Sequence, residues 1–458
     1  MQKEDNELLS RVGAGTPMGE LMRQYWIPAL LSTELPQVDC APVRVRLLGE
    51  NLIAFRDTHG RVGMLANNCS HRGASLFFGR NEDDGLRCVY HGWKYDVTGR
   101  CVDMPNEPPE TSFADKLHHL AYPCQERGGV VWTYMGPRAR PAAVGETNHA
   151  GRVLDTGPAT GLPPLPNLES NMHSGEECPP WAAMRACNWL QALEGDIDTS
   201  HAAFLHGSLK SRWSTEPGTY QYYSERTKQP RPSVVETDYG MLYANRRPAE
   251  DDSWLWSIGS FLLPFFTMVN SIDLGVQLIT RAWVPIDDEH VMFFYFWWAP
   301  EGLRELDPEG KRQNFSYMRD FDHLPNTSDW LGRWRLVANA SNDFQLDREM
   351  QRTRNFSGVA TVHNQDQAMT ESMGAIQNRT QEHVGPADWT IVTARQALLT
   401  AARDLAERGV IPVTVDQPDL YETRSGRIVL PRDVDWVEAT KQKRKAFAEP
   451  VPLAVSRS

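Results

Sequence analysis

Seven cysteines in 458 residues are too few and too scattered for a disulfide framework. Cys40, Cys101, Cys124, Cys178 and Cys187 stand far apart, which suits a reducing compartment. Long apolar runs are missing as well. The longest, from Trp256 to Val269, is broken by Ser257, Gly259, Ser260 and Pro264 and is too short to cross a bilayer. Met1 to Asn6 lacks the apolar segment of an export signal, so a cytoplasmic location with no membrane partner is expected. Positive charge is scarce too. Lys and Arg number 47 against 59 Asp and Glu, and a net charge of −12 gives no field to attract nucleic acid. No glycine-rich dinucleotide loop is present, because Gly13-Ala14-Gly15-Thr16-Pro17-Met18-Gly19 has the wrong spacing and a proline. Nor is there a plant-type run of cluster-binding cysteines.

The two remaining cysteines are placed differently. Cys69-Ser70-His71 and Cys88-Val89-Tyr90-His91 each join one thiol to one imidazole in a short loop, and sixteen residues separate His71 from Cys88. Soft thiolates hold iron and sulfide, and imidazoles raise the reduction potential above that of an all-thiolate cluster. One Cys and one His per loop suits a [2Fe-2S] centre with Cys69 and Cys88 on one iron and His71 and His91 on the other. A structural zinc site uses the same ligand set, but zinc fingers pair their thiols in one segment and their imidazoles in another. Gly73 and Gly92 allow tight backbone approach, and Trp93 supplies an aromatic shield. On these residues the chain resembles the Rieske proteins.

The organisation around the loops is mixed. Val43, Val45 and Leu47, then Ile53 and Phe55, then Val62 and Met64 alternate as strands do, with turns at Gly49-Glu50-Asn51 and Asp57 to Gly60. These predict a compact antiparallel all-β domain over 41–140, preceded by an N-terminal helical segment (1–40) packed on the rest. A linker or excursion rich in Pro, Gly and Ala follows at 141–168. The region 169–458 carries helical patterning over about Trp189–Phe204, Asn364–Ile376 and Arg395–Arg408, the last stopping at Gly409. Strand-like runs lie at Val234–Asn245, Val276–Val284 and His290–Trp298. The expected class is therefore α+β, the second domain an antiparallel sheet backed by helices in a helix-grip-like arrangement.

A second constellation follows Asn188-Trp189. Glu194, Asp198, His201 and His206 fall within thirteen residues. Non-haem iron that activates oxygen is commonly held by two His and one carboxylate with open positions, and His201 and His206 are the natural pair. Five residues apart, they sit roughly 140° from each other on an ideal helix, so either a π-bulge intervenes or the helix ends between them. Asp198 shares a face with His201 and can orient its ring. The third ligand must come from far downstream. Asp366 is the choice, in a helical stripe with Met369, Thr370 and Met373, ahead of Asp343, Asp347, Glu349 and Glu371. Asn364 and Gln367 form the better capping pair.

Glu194-x3-Asp198-x2-His201-x4-His206 is similar to the mononuclear-iron motif of the Rieske non-haem iron oxygenases. Asn342 to Arg352 and Gln365 to Gly374 resemble the C-terminal signature of their phthalate dioxygenase-like branch, in which the aspartate at the Asp366 position is the iron ligand. The resemblance implies a terminal oxygenase with one [2Fe-2S] cluster and one mononuclear Fe(II) per chain, O2 as co-substrate, and NAD(P)H used through a separate reductase or ferredoxin. It implies a homotrimer, or stacked trimers, in which His91 of one protomer hydrogen-bonds Asp198 of the next. The expected substrate is an aromatic acid, with Arg246, Lys210 and Arg212 as candidates for its carboxylate. Oxidative O-demethylation of a lignin-derived methoxy aromatic is the preferred reaction, with ring cis-dihydroxylation as the alternative. A Rieske electron carrier without catalytic iron is the competing class.

Overall fold

The computed structural model describes residues 1–137, 161–198, 200–209, 222–223, 226–269, 273–275, 278–298 and 322–447. Lys210, Arg212 and most of the expected linker lie outside these residues.

The alternating segments of the first half form short antiparallel strands. Val43–Leu47, Glu50–Arg56, Val62–Ala66 and Ala121–Tyr122 make one four-stranded sheet, and Arg80–Glu82, Gly85–Arg87, Lys94–Tyr95 and Cys101–Asp103 make another. The first hairpin turns through Leu48 and Gly49, both left-handed, as a two-residue turn between twisted strands requires. Ile53, Phe55, Leu65, Leu76, Leu86 and Tyr95 pack into a small core that also encloses Cys69, Cys88 and Trp93.

The N-terminal 40 residues are not uniformly helical. Helices Lys3–Ser10 and Pro17–Arg23 pack against the long helix Trp389–Arg408 of the second half, but Trp26–Leu31 is a fully buried strand paired with Val130–Tyr134. Its six residues are apolar without alternation, which periodicity cannot separate from a buried helix segment. The N-terminus therefore binds the two halves together.

The second half is built on an eight-stranded antiparallel sheet. Its path runs through Trp181–Arg185, Val291–Trp298, Leu278–Pro285, Phe266–Met268, Ser253–Leu262, Gly240–Ala249 and Arg231–Thr237, and Gly426–Pro431 joins the strand Ser253–Leu262. The run expected as one strand over Val234–Asn245 is a hairpin that turns at Asp238 and Tyr239. Helices cover one face. Trp189–Ile197 lies across the central strands, and Val362–Ser372 and Trp389–Arg408 pack beside it. Leu398, Leu399 and Ala402 form the buried stripe of the last helix, which ends at Gly409. Among the described residues no helix is long and apolar enough to cross a membrane.

A buried ionic cluster locks the helix layer. Glu194 receives Arg379 Nη2 at 3.0 Å and Arg395 Nε at 2.6 Å, while Arg379 Nη1 donates to Asn6 at 3.1 Å and Arg395 Nη2 to Glu382 at 2.9 Å. Burial alone would raise the Glu194 carboxyl, but the two guanidinium groups hold it below its ordinary range. Breaking such a pair strands a charge in the interior. Arg379→Met is expected to lower the unfolding free energy of this domain by about 3–5 kcal/mol, read by denaturant unfolding. A loss within measurement error would show that the cluster is not what holds the helices.

Candidate metal centres

The two Cys/His loops have the same construction. Cys69 N–H donates to Ala74 O at 2.9 Å and Gly73 N–H returns to Cys69 O at 2.9 Å; Cys88 N–H donates to Trp93 O at 2.8 Å and Gly92 N–H returns to Cys88 O at 2.9 Å. Both closures need a left-handed residue, and Gly73 (φ +75°) and Gly92 (φ +82°) supply it. The repeated turn brings the two imidazoles together, with ring centroids 4.3 Å apart, over two buried thiols. Trp93 stacks on His71 at 4.4 Å. Tyr95 Oη lies 3.2 Å from Cys69 Sγ. Burial pushes the Cys69 thiol up while the Tyr95 hydroxyl opposes the shift, and burial together with His71 and Arg72 holds His91 below its ordinary value. Neither thiol is in a disulfide, and the buried Nδ1 of His71 has no hydrogen-bond partner. Unpaired buried ligand atoms of this kind fit an inorganic cluster.

The second site forms where two distant helices meet. His201 Nε2, His206 Nε2 and an Asp366 carboxylate oxygen lie within 4.8 Å of one another, the one such group among the described residues. The imidazole nitrogens are 3.2 Å apart, and Asp366 Oδ1 stands 3.1 Å from His206 Nε2 and 3.6 Å from His201 Nε2. Three converging donors, two imidazole and one carboxylate, suit a divalent transition metal with positions left open.

The local backbone resolves the problem of the five-residue spacing. There is no π-bulge. The helix expected over Trp189–Phe204 ends at Ile197, ahead of both histidines, and Asp198 is extended (ψ 118°). His201 and His206 then flank a separate one-turn helix, Ala202–Leu205, which carries both rings to one point. Asp198 Oδ2 lies 3.3 Å from His201 Nδ1, and its other oxygen accepts from Ser200 N and Oγ, each at 2.7 Å.

On the other helix the cap is Thr361, whose hydroxyl accepts from Asn364 N at 3.3 Å; the expected Asn364 cap is already helical. Asp366 therefore shares its inner face with His363 and Thr370, whereas Met369 and Met373 are exposed. Burial would raise the Asp366 carboxyl, but His206, His201 and Arg185 hold it well below the usual carboxylate range. The competing carboxylates are otherwise engaged. Asp347 caps the helix Arg348–Thr353, Glu349 pairs with Arg352, Glu371 accepts from Ala186 N at 2.9 Å, and Asp343 sits in a kinked turn.

Two features escaped the sequence reading. Gln365 Oε1 accepts from His206 Nδ1 at 2.7 Å, and Gln365 Nε2 is fixed on Val359 O at 2.8 Å. Its only sequence signal is its place beside Asp366. Buried arginines face the same side: Arg281 pairs with Asp196, and Arg185 lies over Trp283 at 4.8 Å with Nη1 3.3 Å from Thr370 Oγ1. Among the described residues Arg185 has no carboxylate within ion-pair distance, and its Nε has no partner. Arg246 is displaced from the site. Strand alternation sets it on the opposite face of the sheet from Tyr243, over Trp254 and Trp256 at 5.1 and 5.6 Å.

Comparison with known proteins identifies both parts of the chain. Residues 25–121 match the model of the Rieske [2Fe-2S] domain and residues 181–452 that of the LigXa C-terminal domain like family. The chain is 43% identical to the 3-chlorobenzoate-3,4-dioxygenase oxygenase subunit of Comamonas testosteroni, covering 96% of this chain and 98% of the relative. It is 34% identical to the phthalate 4,5-dioxygenase oxygenase subunit of Pseudomonas putida (94% and 93% covered) and 31% identical to the 5,5'-dehydrodivanillate O-demethylase oxygenase subunit of a Sphingobium strain (87% and 80%). Dicamba monooxygenase bound to dicamba shares the fold, with a TM-score of 0.54 at 16% identity over 84% of this chain and 99% of that one. So does the oxygenase in the reduced oxygenase–ferredoxin complex of carbazole 1,9a-dioxygenase, with a TM-score of 0.50 at 20% identity over 87% and 95%.

Orienting partners of metal-bound imidazoles are typically worth about 10–100-fold in metal affinity. Gln365→Leu is therefore expected to weaken Fe(II) binding at the three-residue site by about that factor, with the cluster spectrum unchanged. Wild-type affinity in a metal titration would rule out the orienting role.

Proposed function

This chain belongs to the Rieske non-haem iron oxygenases, enzymes that act on aromatic substrates with a [2Fe-2S] cluster and a mononuclear iron, and from that membership we propose that it oxidises the ring of an aromatic carboxylic acid. In this reading Cys69, Cys88, His71 and His91 hold the cluster, and His201, His206 and Asp366 hold the iron. When bound, the cluster supplies electrons singly and the iron supplies the centre at which O2 is activated beside substrate.

The chain's own residues prepare that centre in two ways. Asp198 accepts from His201 Nδ1 and Gln365 from His206 Nδ1, so both Nε2 atoms are turned inward as ligands. One backing group is a carboxylate and the other a neutral amide, so the two rings differ in basicity. Asp198 has a further part in the electron route. Among the described residues no hydrogen bond or ion pair links it to His91, while Val89, Tyr90 and Phe78 leave exposed apolar surface on and near the cluster loops. Such a surface is what a protein neighbour covers. We read it as the face through which His91 of one protomer meets Asp198 of the next, in a trimer or stacked trimers. Electrons enter from a separate reductase or ferredoxin, as in the ferredoxin complex of carbazole 1,9a-dioxygenase.

The acid is favoured by charge. Arg185 is a buried guanidinium without a carboxylate partner, close enough to Asp366 to depress its pKa, and a divalent metal adds further positive charge. The pocket therefore favours an anion. The 3-chlorobenzoate and phthalate enzymes among the relatives are ring dioxygenases, and this supports cis-dihydroxylation: the arene takes both atoms of O2 with two electrons and two protons. Oxidative O-demethylation with release of formaldehyde is the second reading. It rests on the dehydrodivanillate relative, which is less similar than the chlorobenzoate one.

Purified protein, a surrogate reductase and NADH should convert a carboxylated aromatic from a panel to a cis-diol without formaldehyde. Formaldehyde in step with NADH use on a methoxylated acid would move the assignment to O-demethylation, and no product from any aromatic would sink the oxygenase reading. Iron analysis separates the carrier, since a cluster plus a catalytic iron gives about three atoms per chain. Asp198→Asn is expected to keep that iron content while turnover falls about 100-fold or more; near-normal activity would disprove the bridge.

A further inference from the structure

The sheet beneath the motif helix holds three polar side chains that each carry an atom without a hydrogen-bond partner among the described residues. Tyr243 and Asn245 lie two apart on the strand Gly240–Ala249, so their side chains share a face. In the register with the strand Ser253–Leu262, Asn245 stands opposite Ser257 and Tyr243 opposite Gly259. The Tyr243 ring lies across Gly259, where a Cβ would come within 2.4 Å of its hydroxyl. All three side chains are at most 1% exposed, and among the described residues Tyr243 Oη, Asn245 Nδ2 and Ser257 Oγ each lack a hydrogen-bond partner.

Their face is the one that carries the helices and the metal site. Tyr243 packs in the core with Trp189 and Leu193 of the motif helix, and its hydroxyl is within electrostatic reach of Asp196, Arg281 and Asp198. Arg246, one residue along, points the other way into a small cluster with Trp256 and Trp436.

One buried polar atom without a partner is an irregularity; three on adjacent cross-strand positions make a site. A phenol, an amide N–H2 and an alcohol can all donate, so their common complement is an acceptor. Arg247 follows two residues along on the same strand face, and the two carboxylates within reach of the Tyr243 hydroxyl are already engaged, Asp196 by Arg281 and Asp198 by His201. Donors gathered in a water-excluded interior suit a carboxylate.

We propose that Tyr243, Asn245 and Ser257 form the subsite that receives the carboxylate of the aromatic substrate, in place of Arg246. This rests on the oxygenase reading and adds to it an orientation: the acid end of the substrate lies on the sheet, and the ring extends from it toward His201, His206 and Asp366. A ligand at this depth is stripped of its own hydration, so each donor counts toward acid selectivity.

The test uses the full chain with both metal centres loaded, and 3-chlorobenzoate and its methyl ester as probes. Tyr243→Phe and Ser257→Ala remove only an unsatisfied group and keep the packing. Each is expected to lower the acid-over-ester ratio of kcat/KM by about tenfold or more, and to weaken calorimetric binding of the acid by a similar factor. Arg246→Met is expected to leave the ratio at the wild-type value. An unchanged ratio in the two subsite variants, or equal losses for acid and ester, would overturn the subsite, as would a gain in stability alone, which marks a buried defect. Calorimetry needs no turnover. A wild type that binds the acid but oxidises no aromatic would therefore defeat the oxygenase reading while the variants still decide the subsite, and a wild type that binds no aromatic acid would defeat both.

Discussion

A carboxylate at position 366 has to meet imidazoles at 201 and 206 within reach of one ion, and the second domain is arranged around that meeting. Three close-set ligand atoms with few protons among them are costly to bury without a cation, so the helices that carry them must be held from outside the site. The Glu194 cluster with Arg379 and Arg395 does this for the motif helix and ties it to the N-terminal helix through Asn6. Thr361 fixes the start of the aspartate helix and hence the direction Asp366 faces. Asp196, anchored to Thr267, Arg281 and Trp283, fastens the end of the motif helix to the sheet just before the chain turns toward Asp198.

The cluster domain meets its own requirement by repetition. Two loops close with the same pair of backbone hydrogen bonds and the same left-handed glycine, so thiols fall on the buried side and imidazoles on the open side. That asymmetry has a functional sense. The thiolate end is wrapped in Leu76, Leu86 and Tyr95, where its charge is shielded from water, and the histidine end is left where a neighbouring protein can approach. The two centres thus differ in one respect: at the three-residue site the outer nitrogens of both imidazoles are hydrogen-bonded, by Asp198 and Gln365, whereas the cluster imidazoles lie toward the surface.

Much of this was legible before any coordinates. The paired Cys/His spacing, the Glu194 to His206 run and the choice of Asp366 rest on local chemistry, and the ligand groups come together in the fold. The errors have a common origin in burial. Residues 26–31 are apolar without a period, so a strand there looks like part of a helical segment. The spacing of His201 and His206 demands a break in the helix over 189–204, but nothing local places that break at Asp198, ahead of both histidines. Of the stripe expected with Asp366, Thr370 lies on the inner face, joined there by His363, whereas Met369 and Met373 face outward. Arg246 is expected from the family resemblance, and the sheet facing that turns it away from the helices is not visible in a sequence.

The sequence by itself determined the donor types and their spacing within each loop. These are properties of residues a few positions apart, where chain connectivity limits geometry. Only the tertiary structure decided that Gln365 backs His206, that Arg185 lies within electrostatic reach of Asp366 with no carboxylate at ion-pair distance among the described residues, and that Tyr243, Asn245 and Ser257 lie on the opposite face of the sheet from Arg246. Each of those facts depends on strand register or on contacts across more than a hundred residues, and a shift of one position in a strand turns every side chain to the other face.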